Sequence, residues 1–196
     1  MSHYFENDNK VKSEERIFAG NICNVNFNFY SDNGVFNKNG IDFGSRLLIE
    51  EFVKEYHEGK VLDVGCGIGI IGVALSKLLE ADVDMVDVNL RALGLANKNI
   101  SLNKLTSEMN VFESNCYANV TYKYNTIITN PPIRAGKKIV YEILMNAKEY
   151  LLENGNLFLV IRKEQGARSI ISDLNKVYYV EILEKSKGFF VLKCMV

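Results

Sequence analysis

Apolar and polar positions change their spacing repeatedly along the chain, in a way that separates strands from helices. The segments "KVLDV", "DVDMVDV", "MNVFES", "YNTIIT" and "NLFLVIRK" have the length and composition of buried strands. Between them, "IGVALSKLLE", "RALGLANKNISLN" and "KKIVYEILMNAKEYLLENG" have helical spacing, and another helix is predicted over 167–175. Strands that alternate with helices predict right-handed crossovers and a mainly parallel sheet with helices on both faces.

The end of the chain adds two strands, near "VYYVEILEK" and "GFFVLKCMV". Only the short link "SKG" joins them, so they are expected to pair antiparallel. The predicted fold is therefore α/β and Rossmann-like: a seven-stranded, mainly parallel sheet whose last strand is antiparallel. A ligand of such a sheet is expected at the carboxyl ends of the strands, near the point where the strand order reverses.

The first forty residues have a different character. Apolar and polar residues alternate from Cys23 to Tyr30, which predicts a half-buried strand in a small N-terminal β addition. The segment "GSRLLIEEFVKEYHEG" then has helical spacing and ends at Gly59. We predict one domain over 1–196, with the β element at 1–40 and the Rossmann-like core at 41–196.

Composition and charge narrow the possible functions. Lys and Arg number 23 and Asp and Glu 24, so the net charge of -1 predicts no general affinity for nucleic acid. No run of apolar residues is long enough for a transmembrane helix, and "MSHYFENDNK" does not resemble a secretory signal. Four scattered cysteines and two histidines predict neither a zinc site nor disulfides. We therefore expect a cytoplasmic protein with no metal and no membrane partner.

Three alternate glycines follow the strand "KVLDV": Gly65, Gly67 and Gly69. Such residues let a backbone approach a ligand at the positive end of the next helix, although a tight turn alone would also use them. Gly67, Gly69 and Gly72 satisfy the dinucleotide-binding pattern G-x-G-x-x-G, and Asp87 stands twenty residues past Gly67, where an acid would contact a ribose. The loop thus predicts a nucleoside cofactor without deciding which one.

Asp63 changes that balance, because it lies two residues before the first glycine. A carboxylate there would repel a pyrophosphate, whereas it suits a ligand that carries an ammonium group. S-adenosylmethionine has an ammonium group, ribose hydroxyls and no phosphate. We therefore expect S-adenosylmethionine as the cofactor.

The two prolines of the chain stand side by side in "NPPIRAG", directly after a predicted buried strand. An exocyclic amine is a poor nucleophile because its lone pair is delocalised. A site that alkylates it should accept hydrogen bonds from both of its N–H groups and so turn the lone pair toward the electrophile. The side-chain carbonyl of Asn130 and a backbone carbonyl in the stiff Pro131–Pro132 turn would do so. These three residues are the predicted catalytic group, although a simple loop after a strand remains the other interpretation.

These motifs, in this order, resemble class I methyltransferases that act on amino nitrogens. The wider match includes "HYF", "SDNGVFNKNGIDFGSRLLIE", "VDVNLRAL", "TNPPIRAGKK" and "RKEQGA". It resembles the small-domain family around the bacterial 16S rRNA guanine-N2 methyltransferases and covers essentially the whole chain. The resemblance implies that Phe36 and Asp42 lie in a segment closing over the cofactor. The cofactor residues that it implies are Asp42, Asp63, Gly65, Cys66, Gly67, Gly69, Asp87, Asn115 and Asn130.

Two positions depart from that family. Asn115 stands where many members have an acid that receives the adenine amino group, and its carbonyl can still accept that bond. Ile133 follows the two prolines, where an aromatic residue often stacks on the flipped base. Ile133, Arg134 and Lys137 are the predicted substrate-binding residues.

Basic residues near the predicted pocket suggest how a substrate could be held. Arg134, Lys137 and Lys138 follow the proline turn, and Arg162, Lys163 and Arg168 flank the end of another strand. They predict either a basic edge that touches an RNA backbone or an ordinary solvated rim. The expected partner is rRNA or the small ribosomal subunit, and the expected reaction is methyl transfer to guanine N2. A protein glutamine amide, adenine N6 and a non-catalytic nucleotide- or NAD-binding module remain alternatives.

Overall fold

The computed structural model describes residues 11–196, so "HYF" at 3–5 lies outside the described part of the chain. A hairpin comes first, made of β1 (Arg16–Ile22) and β2 (Val25–Ser31). The strands of the main sheet are β3 (Val61–Val64), β4 (Val83–Asp87), β5 (Met109–Glu113), β6 (Tyr124–Thr129), β7 (Leu151–Arg162), β8 (Tyr179–Ser186) and β9 (Phe189–Met195). The helices are α1 (Phe43–Glu55), α2 (Ile70–Leu79), α3 (Leu90–Leu102), α4 (Lys137–Asn146) and α5 (Ala167–Leu174).

The main sheet has the order β5-β4-β3-β6-β7-β9-β8. Strands β3 to β7 are parallel, whereas β9 lies between β7 and β8 and pairs antiparallel with both. The predicted seven-stranded, mainly parallel sheet is confirmed. The chain order reverses between β3 and β6, so a ligand is expected at the carboxyl ends of these two strands.

Each face of the sheet has its own apolar layer. Val61 and Ile128 belong to the layer that holds α1, α2 and α3 with the hairpin. Leu62 and Ile127, their neighbours on β3 and β6, belong to the layer that holds α4 and α5. Successive residues of a strand point to opposite faces, so these continuous apolar runs are covered on both sides.

The N-terminal β addition is a hairpin that begins its second strand later than predicted. Cys23 and Asn24 form the two-residue turn and have positive φ angles of 49° and 63°, which is the geometry of a type I′ turn. Strand β2 therefore starts at Val25, and the expected start at Cys23 is wrong. The alternation is as predicted, since Phe27 and Phe29 are buried and Asn26 and Asn28 are exposed.

The helix predicted through Gly155 is wrong in its second half, because α4 ends at Asn146. The hydroxyl of Tyr178 donates to the carbonyl of Leu144 at 2.9 Å and accepts from the amide of Lys148 at 3.0 Å. These two backbone groups would bond to each other in a continuing α-helix. The inserted hydroxyl ends the α-helix; a 3₁₀ helix follows over Ala147–Tyr150, and Leu151 then pairs with Tyr124 in the sheet.

At the end of the sheet away from the predicted site, a buried carboxylate supports the fold. Asp84 accepts from the hydroxyl of Tyr124 at 2.7 Å and from the side-chain Nδ2 of Asn110 at 2.8 Å, and Lys60 Nζ lies 3.1 Å from it. We expect Tyr124→Phe to lower the free energy of unfolding by about 1–3 kcal/mol, because a buried charge loses a hydrogen bond. Urea denaturation checks this, with the exposed Tyr122→Phe as an unchanged control. Equal stability of the two variants would contradict it.

Candidate active site

A cavity of about 400 Å³ opens at the carboxyl ends of the strands on both sides of the reversal point. Its walls come from the loops after β3, β4, β5 and β6 and from the connection between β2 and α1. The predicted site residues that line it are Phe36, Gly65, Cys66, Gly67, Asp87, Asn115, Asn130, Pro131 and Pro132. The folding of the chain therefore brings most of the predicted site together.

The glycine loop presents its backbone to this cavity. Gly65, Gly67 and Gly69 have positive φ angles of 74°, 55° and 83°, a backbone region that residues other than glycine rarely adopt. A Cβ on Gly67 would meet no atom within 4 Å, so the space beside the loop is open. Gly69 instead faces the interior, where a Cβ would lie 3.1 Å from Ala96. Gly69 thus shapes the loop without lining the cavity.

Asp87 fastens the end of β4 to the glycine loop. One carboxylate oxygen accepts from the amide of Gly67 at 2.8 Å, and the other accepts from the amide of Asn89 at 2.9 Å. Burial raises the pKa of Asp87, while these backbone N–H groups act in the opposite direction. Each oxygen keeps a lone pair for a further donor, so the carboxylate can also accept from hydroxyl groups of a ligand.

Asp63 lies beneath the loop and does not line the cavity. Its carboxylate is fully buried, and one oxygen accepts from the amide of Gly72 at 3.2 Å. The other oxygen, Oδ1, has no hydrogen-bond partner among the described residues. Burial, reinforced by the nearby charge of Asp87, raises the pKa of Asp63 to about 7, although the hydrogen bond from the amide of Gly72 acts to lower it. An acceptor is therefore left over next to the loop.

Asn130 is held at the mouth of the cavity by the first turn of α1. Its amide Nδ2 donates to Asp42 Oδ1 at 3.2 Å and to the Ser45 hydroxyl oxygen at 3.0 Å. The side-chain carbonyl is therefore on the opposite side of the amide group and is available as an acceptor. Asp42 also caps α1, because Oδ1 accepts from the amide of Ser45 at 3.0 Å. Ser45 was not among the predicted site residues, although its position three residues after a capping aspartate was an available signal.

The proline turn lies directly against the glycine loop. A Cβ on Gly65 would have Pro132 Cδ as its neighbour at 3.7 Å. The carbonyl of Pro131 accepts from the amide of Ile133 at 2.9 Å, which uses one of its two lone pairs. The turn thus keeps one backbone acceptor close to the Asn130 side chain.

The loop after β5 forms another wall and contains Asn115. The hydroxyl of Ser114 donates to the carbonyl of Cys116 at 2.9 Å, and Cys116 has a positive φ of 49°. Cys66 lines the cavity, and so does Cys116, which was not among the predicted site residues. Burial raises the pKa of Cys116 to about 11 and that of Cys66 well above its ordinary value. Both side chains are therefore neutral thiols at pH 7 and act as small packing groups.

The connection before α1 is tied to the rest of the site. The side-chain Nδ2 of Asn89 donates to the carbonyl of Gly34 at 3.1 Å, two residues before Phe36 in the chain. Asn99, fully buried, donates to the carbonyls of Tyr30 and Ile68 at 3.1 and 2.8 Å and so joins the hairpin to the glycine loop. Asn99 was not predicted as part of the site, because an asparagine within a helix gives no signal of its tertiary partners.

The predicted substrate residues lie outside this cavity. Ile133 and Lys137 line a second cavity of about 230 Å³ between the first turns of α4 and α5. Arg134 is exposed and lines neither cavity, and Lys138, Lys163 and Arg168 are exposed too. These side chains surround the end of the sheet that carries the proline turn.

The chemistry of the main cavity separates the nucleoside cofactors that the glycine loop allows. Among the described residues that line it there is no Lys, Arg or His, while Asp87 provides a carboxylate. A pyrophosphate would find no counter-charge in these walls and would be repelled by Asp87. The lining fits a nucleoside with hydroxyl groups and a cationic end much better than NAD.

Within residues 11–196, no helix is both long and apolar enough to cross a membrane. Within the same range, no group of three or more His, Cys, Asp and Glu side chains is arranged to hold a metal ion.

Comparisons with known proteins place this geometry in a family. The model of the methyltransferase small domain matches residues 26–193. YbxB of Bacillus subtilis (strain 168) is 42% identical over 195 residues, covering 97% of this chain and 96% of that protein. The ribosomal RNA small subunit methyltransferase C of Psychromonas ingrahamii is 34% identical over 185 residues, covering 92% of this chain and 52% of that protein.

Solved structures share the fold. A T. thermophilus 16S rRNA N2 methyltransferase, in complex with AdoMet and guanosine, has a TM-score of 0.80 at 22% identity, covering 92% of this chain and 50% of that chain. A ribosomal protein L11 methylase from Lactobacillus delbrueckii subsp. bulgaricus has a TM-score of 0.69 at 21% identity, covering 82% of this chain and 80% of that chain. The chain spans about half the length of the rRNA methyltransferases that it matches. It belongs to the methyltransferase small domain family.

Proposed function

We propose that this protein transfers the methyl group of S-adenosylmethionine to an exocyclic amine, guanine N2 of small-subunit rRNA. The observation that carries the proposal is the meeting of two motifs in one cavity, with Pro132 Cδ 3.7 Å from the Cβ position of Gly65. Direct transfer requires a methyl donor and an amine side by side and in line. The glycine loop suits the donor, and the proline turn suits the amine.

The residues of the main cavity fit this donor. S-adenosylmethionine supplies an electrophilic methyl group on a sulfonium. The open backbone at Gly65 and Gly67 gives room for the methionine part, and Asp87 offers acceptors to the ribose. Beneath the glycine loop, Asp63 Oδ1 has no partner among the described residues and would suit an ammonium group that reaches it, and in the cavity wall the side-chain carbonyl of Asn115 can accept from an adenine amino group.

Asn130 and the turn after it orient the acceptor amine. The carbonyls of Asn130 and Pro131 accept hydrogen bonds from the two N–H groups of the amine, which turns the nitrogen lone pair toward the methyl donor. No strong base is required before transfer, because the amine becomes acidic as it gains a methyl group. These carbonyl dipoles also stabilise the positive charge that develops on the nitrogen.

The choice of guanine N2 in rRNA is supported by the relatives. The Psychromonas protein is named as an rRNA small subunit methyltransferase, and the T. thermophilus structure as a 16S rRNA N2 enzyme. The exposed Arg134, Lys138, Lys163 and Arg168 provide cations for a phosphate backbone near the proline turn. With a net charge of -1, contacts limited to this edge suit a folded ribosomal target rather than any RNA.

Transfer of a labelled methyl group tests the proposal. Purified protein and labelled S-adenosylmethionine are added to ribosomal subunits and deproteinised rRNA from cells that lack this protein. We expect nuclease-sensitive label that runs as N2-methylguanosine after digestion to nucleosides. Label in N6-methyladenosine, or label that only protease removes, would contradict guanine N2 and favour adenine or a glutamine amide. Binding of NADH without binding of S-adenosylmethionine would contradict methyl transfer itself.

A further inference from the structure

We propose that Asp42 is a positioning residue that fixes the orientation of the Asn130 amide, with Ser45 as a weaker second support. The inference rests on the proposed function, since it concerns how Asn130 presents its carbonyl to an amine. It gives Asp42 a task other than binding the methyl donor, which is the role that the family resemblance implies for it.

The contacts of Asp42 point toward Asn130. Its Oδ1 accepts both from the amide of Ser45 at 3.0 Å and from Asn130 Nδ2 at 3.2 Å. Its Oδ2 is buried without a hydrogen-bond partner among the described residues. Asp42 is also absent from the described residues that line the main cavity, whereas Ser45 and Asn130 both line it. The carboxylate therefore stands behind Asn130, as seen from the cavity.

The chemistry of a carboxylate decides which way the amide faces. An asparagine side chain has a nearly symmetric shape, so a rotation by 180° exchanges its oxygen and its nitrogen. The Ser45 hydroxyl can donate or accept and therefore tolerates both orientations. An ionised Asp42 can only accept, so it bonds to Nδ2 and repels Oδ1. Asp42 thus keeps the carbonyl of Asn130 available for the substrate amine.

The wrong orientation would be inactive for a simple reason. A rotated Asn130 would present N–H groups to an amine that itself needs acceptors, and its positive dipole end would face the positive charge of the transition state. The charge of Asp42 also polarises the amide and strengthens its carbonyl as an acceptor. Both effects act on the rate of transfer and not on cofactor affinity.

The supports of Asn130 are rigid because they belong to the start of a well-packed helix. Asp42 is the N-cap of α1, and Ser45 lies in its first turn with 3% of its surface exposed. Further along α1, Leu48 and Ile49 are fully buried in the core. A carboxylate fixed in this way can select one orientation of a neighbouring amide.

The test compares Asp42→Asn, Ser45→Ala and Ser76→Ala in the labelled-transfer assay. Asparagine is as good an N-cap as aspartate, so Asp42→Asn keeps the start of α1, but its amide can donate to a rotated Asn130. We expect Asp42→Asn to lower kcat by about 10- to 30-fold and Ser45→Ala by about threefold. Ser76 is a buried serine of α2 whose hydroxyl has no partner among the described residues, so Ser76→Ala should match the wild type.

Cofactor affinity provides the second readout. Calorimetric titration should give each variant a Kd for S-adenosylmethionine within about twofold of the wild type, with unchanged thermal unfolding. A raised Kd at unchanged kcat for Asp42→Asn would make Asp42 a cofactor ligand and overturn the inference. A larger loss for Ser45→Ala than for Asp42→Asn would also overturn it. Absence of transfer by the wild type would instead contradict the proposed function.

Discussion

Replacing Asn130 by alanine is expected to lower kcat by about two to three orders of magnitude while the Kd for S-adenosylmethionine stays nearly constant. The size follows from the loss of a preorganised acceptor that acts on the transition state. The fold should tolerate the change, because Asp42 Oδ1 keeps the amide of Ser45 as a donor and α1 keeps its cap. Single-turnover methyl transfer, together with calorimetric titration of the cofactor, measures both quantities.

Asn125→Ala is a matched control for this experiment. Asn125 lies at the other end of β6, is exposed, and accepts from the amide of Lys60 at 3.0 Å. Asn125→Ala should leave kcat and Kd unchanged. It therefore separates a general effect of removing an asparagine at β6 from the loss of the acceptor that Asn130 presents to the amine. A parallel loss of cofactor affinity and rate in Asn130→Ala would show that Asn130 serves binding and would contradict its assigned role.

The parts of the site that could be predicted are those coded by neighbouring residues. The three glycines after β3 have the positive φ angles that their residue type permits, and the spacing between Gly67 and Asp87 corresponds to a hydrogen bond of 2.8 Å. The parallel sheet followed from alternating strands and helices, and parallel strands place their loops at a common edge. The proline turn after β6 was therefore expected at the same edge as the glycine loop after β3, and the adjacency of β3 and β6 in the sheet brings the two into contact.

Other features depend on tertiary contacts that no local pattern reveals. The bond between Asn130 and Asp42 joins residues 88 positions apart, and the sequence connects them only through a family resemblance. Tyr178, from a distant part of the chain, ends α4 by inserting its hydroxyl. The local sequence "KEYLLENG" contains no sign of this contact, and its pattern therefore predicted a helix. Likewise, the spacing of Ile133 and Lys137 did not predict a second cavity formed with α5.

Two acids lie at the glycine loop, Asp87 in the cavity wall and Asp63 buried beneath it, and no basic side chain among the described lining residues compensates them. Asp63 and Asp87 lie close enough for the charge of Asp87 to raise the pKa of Asp63. Both accept from backbone amides of the glycine loop and of the helix that follows it. A cationic ligand would relieve their repulsion, which connects the protonation of Asp63 with cofactor binding.

The affinity for S-adenosylmethionine is therefore expected to depend on pH through Asp63. Burial raises the pKa of this group to about 7 from the ordinary 3.8. Below pH 7 the carboxyl of the free protein is protonated, and its ionisation must accompany pairing with an ammonium group. The Kd should then rise by up to about tenfold for each pH unit below 7. The stability of the free protein should change with pH in the opposite direction. Its free energy of unfolding should fall as the pH rises from about 4 to 7, because over this range the folded state retains a proton that the unfolded state releases.

Asp63→Asn isolates this contribution. The amide oxygen can still accept from Gly72, but the charge that pairs with the ligand is lost, so the Kd above pH 7 should rise by about 10- to 100-fold. Below pH 7 the ratio of the two Kd values should shrink by up to about tenfold per pH unit, because the wild-type carboxyl becomes neutral as well. Titration calorimetry between pH 5.5 and 8.5 measures both profiles, and the titration of the ligand's own amino group cancels in their ratio. The exposed Asp82→Asn should follow the wild type. A ratio that stays constant across the range would mean that Asp63 holds the loop through Gly72 and exerts no charge on the cofactor.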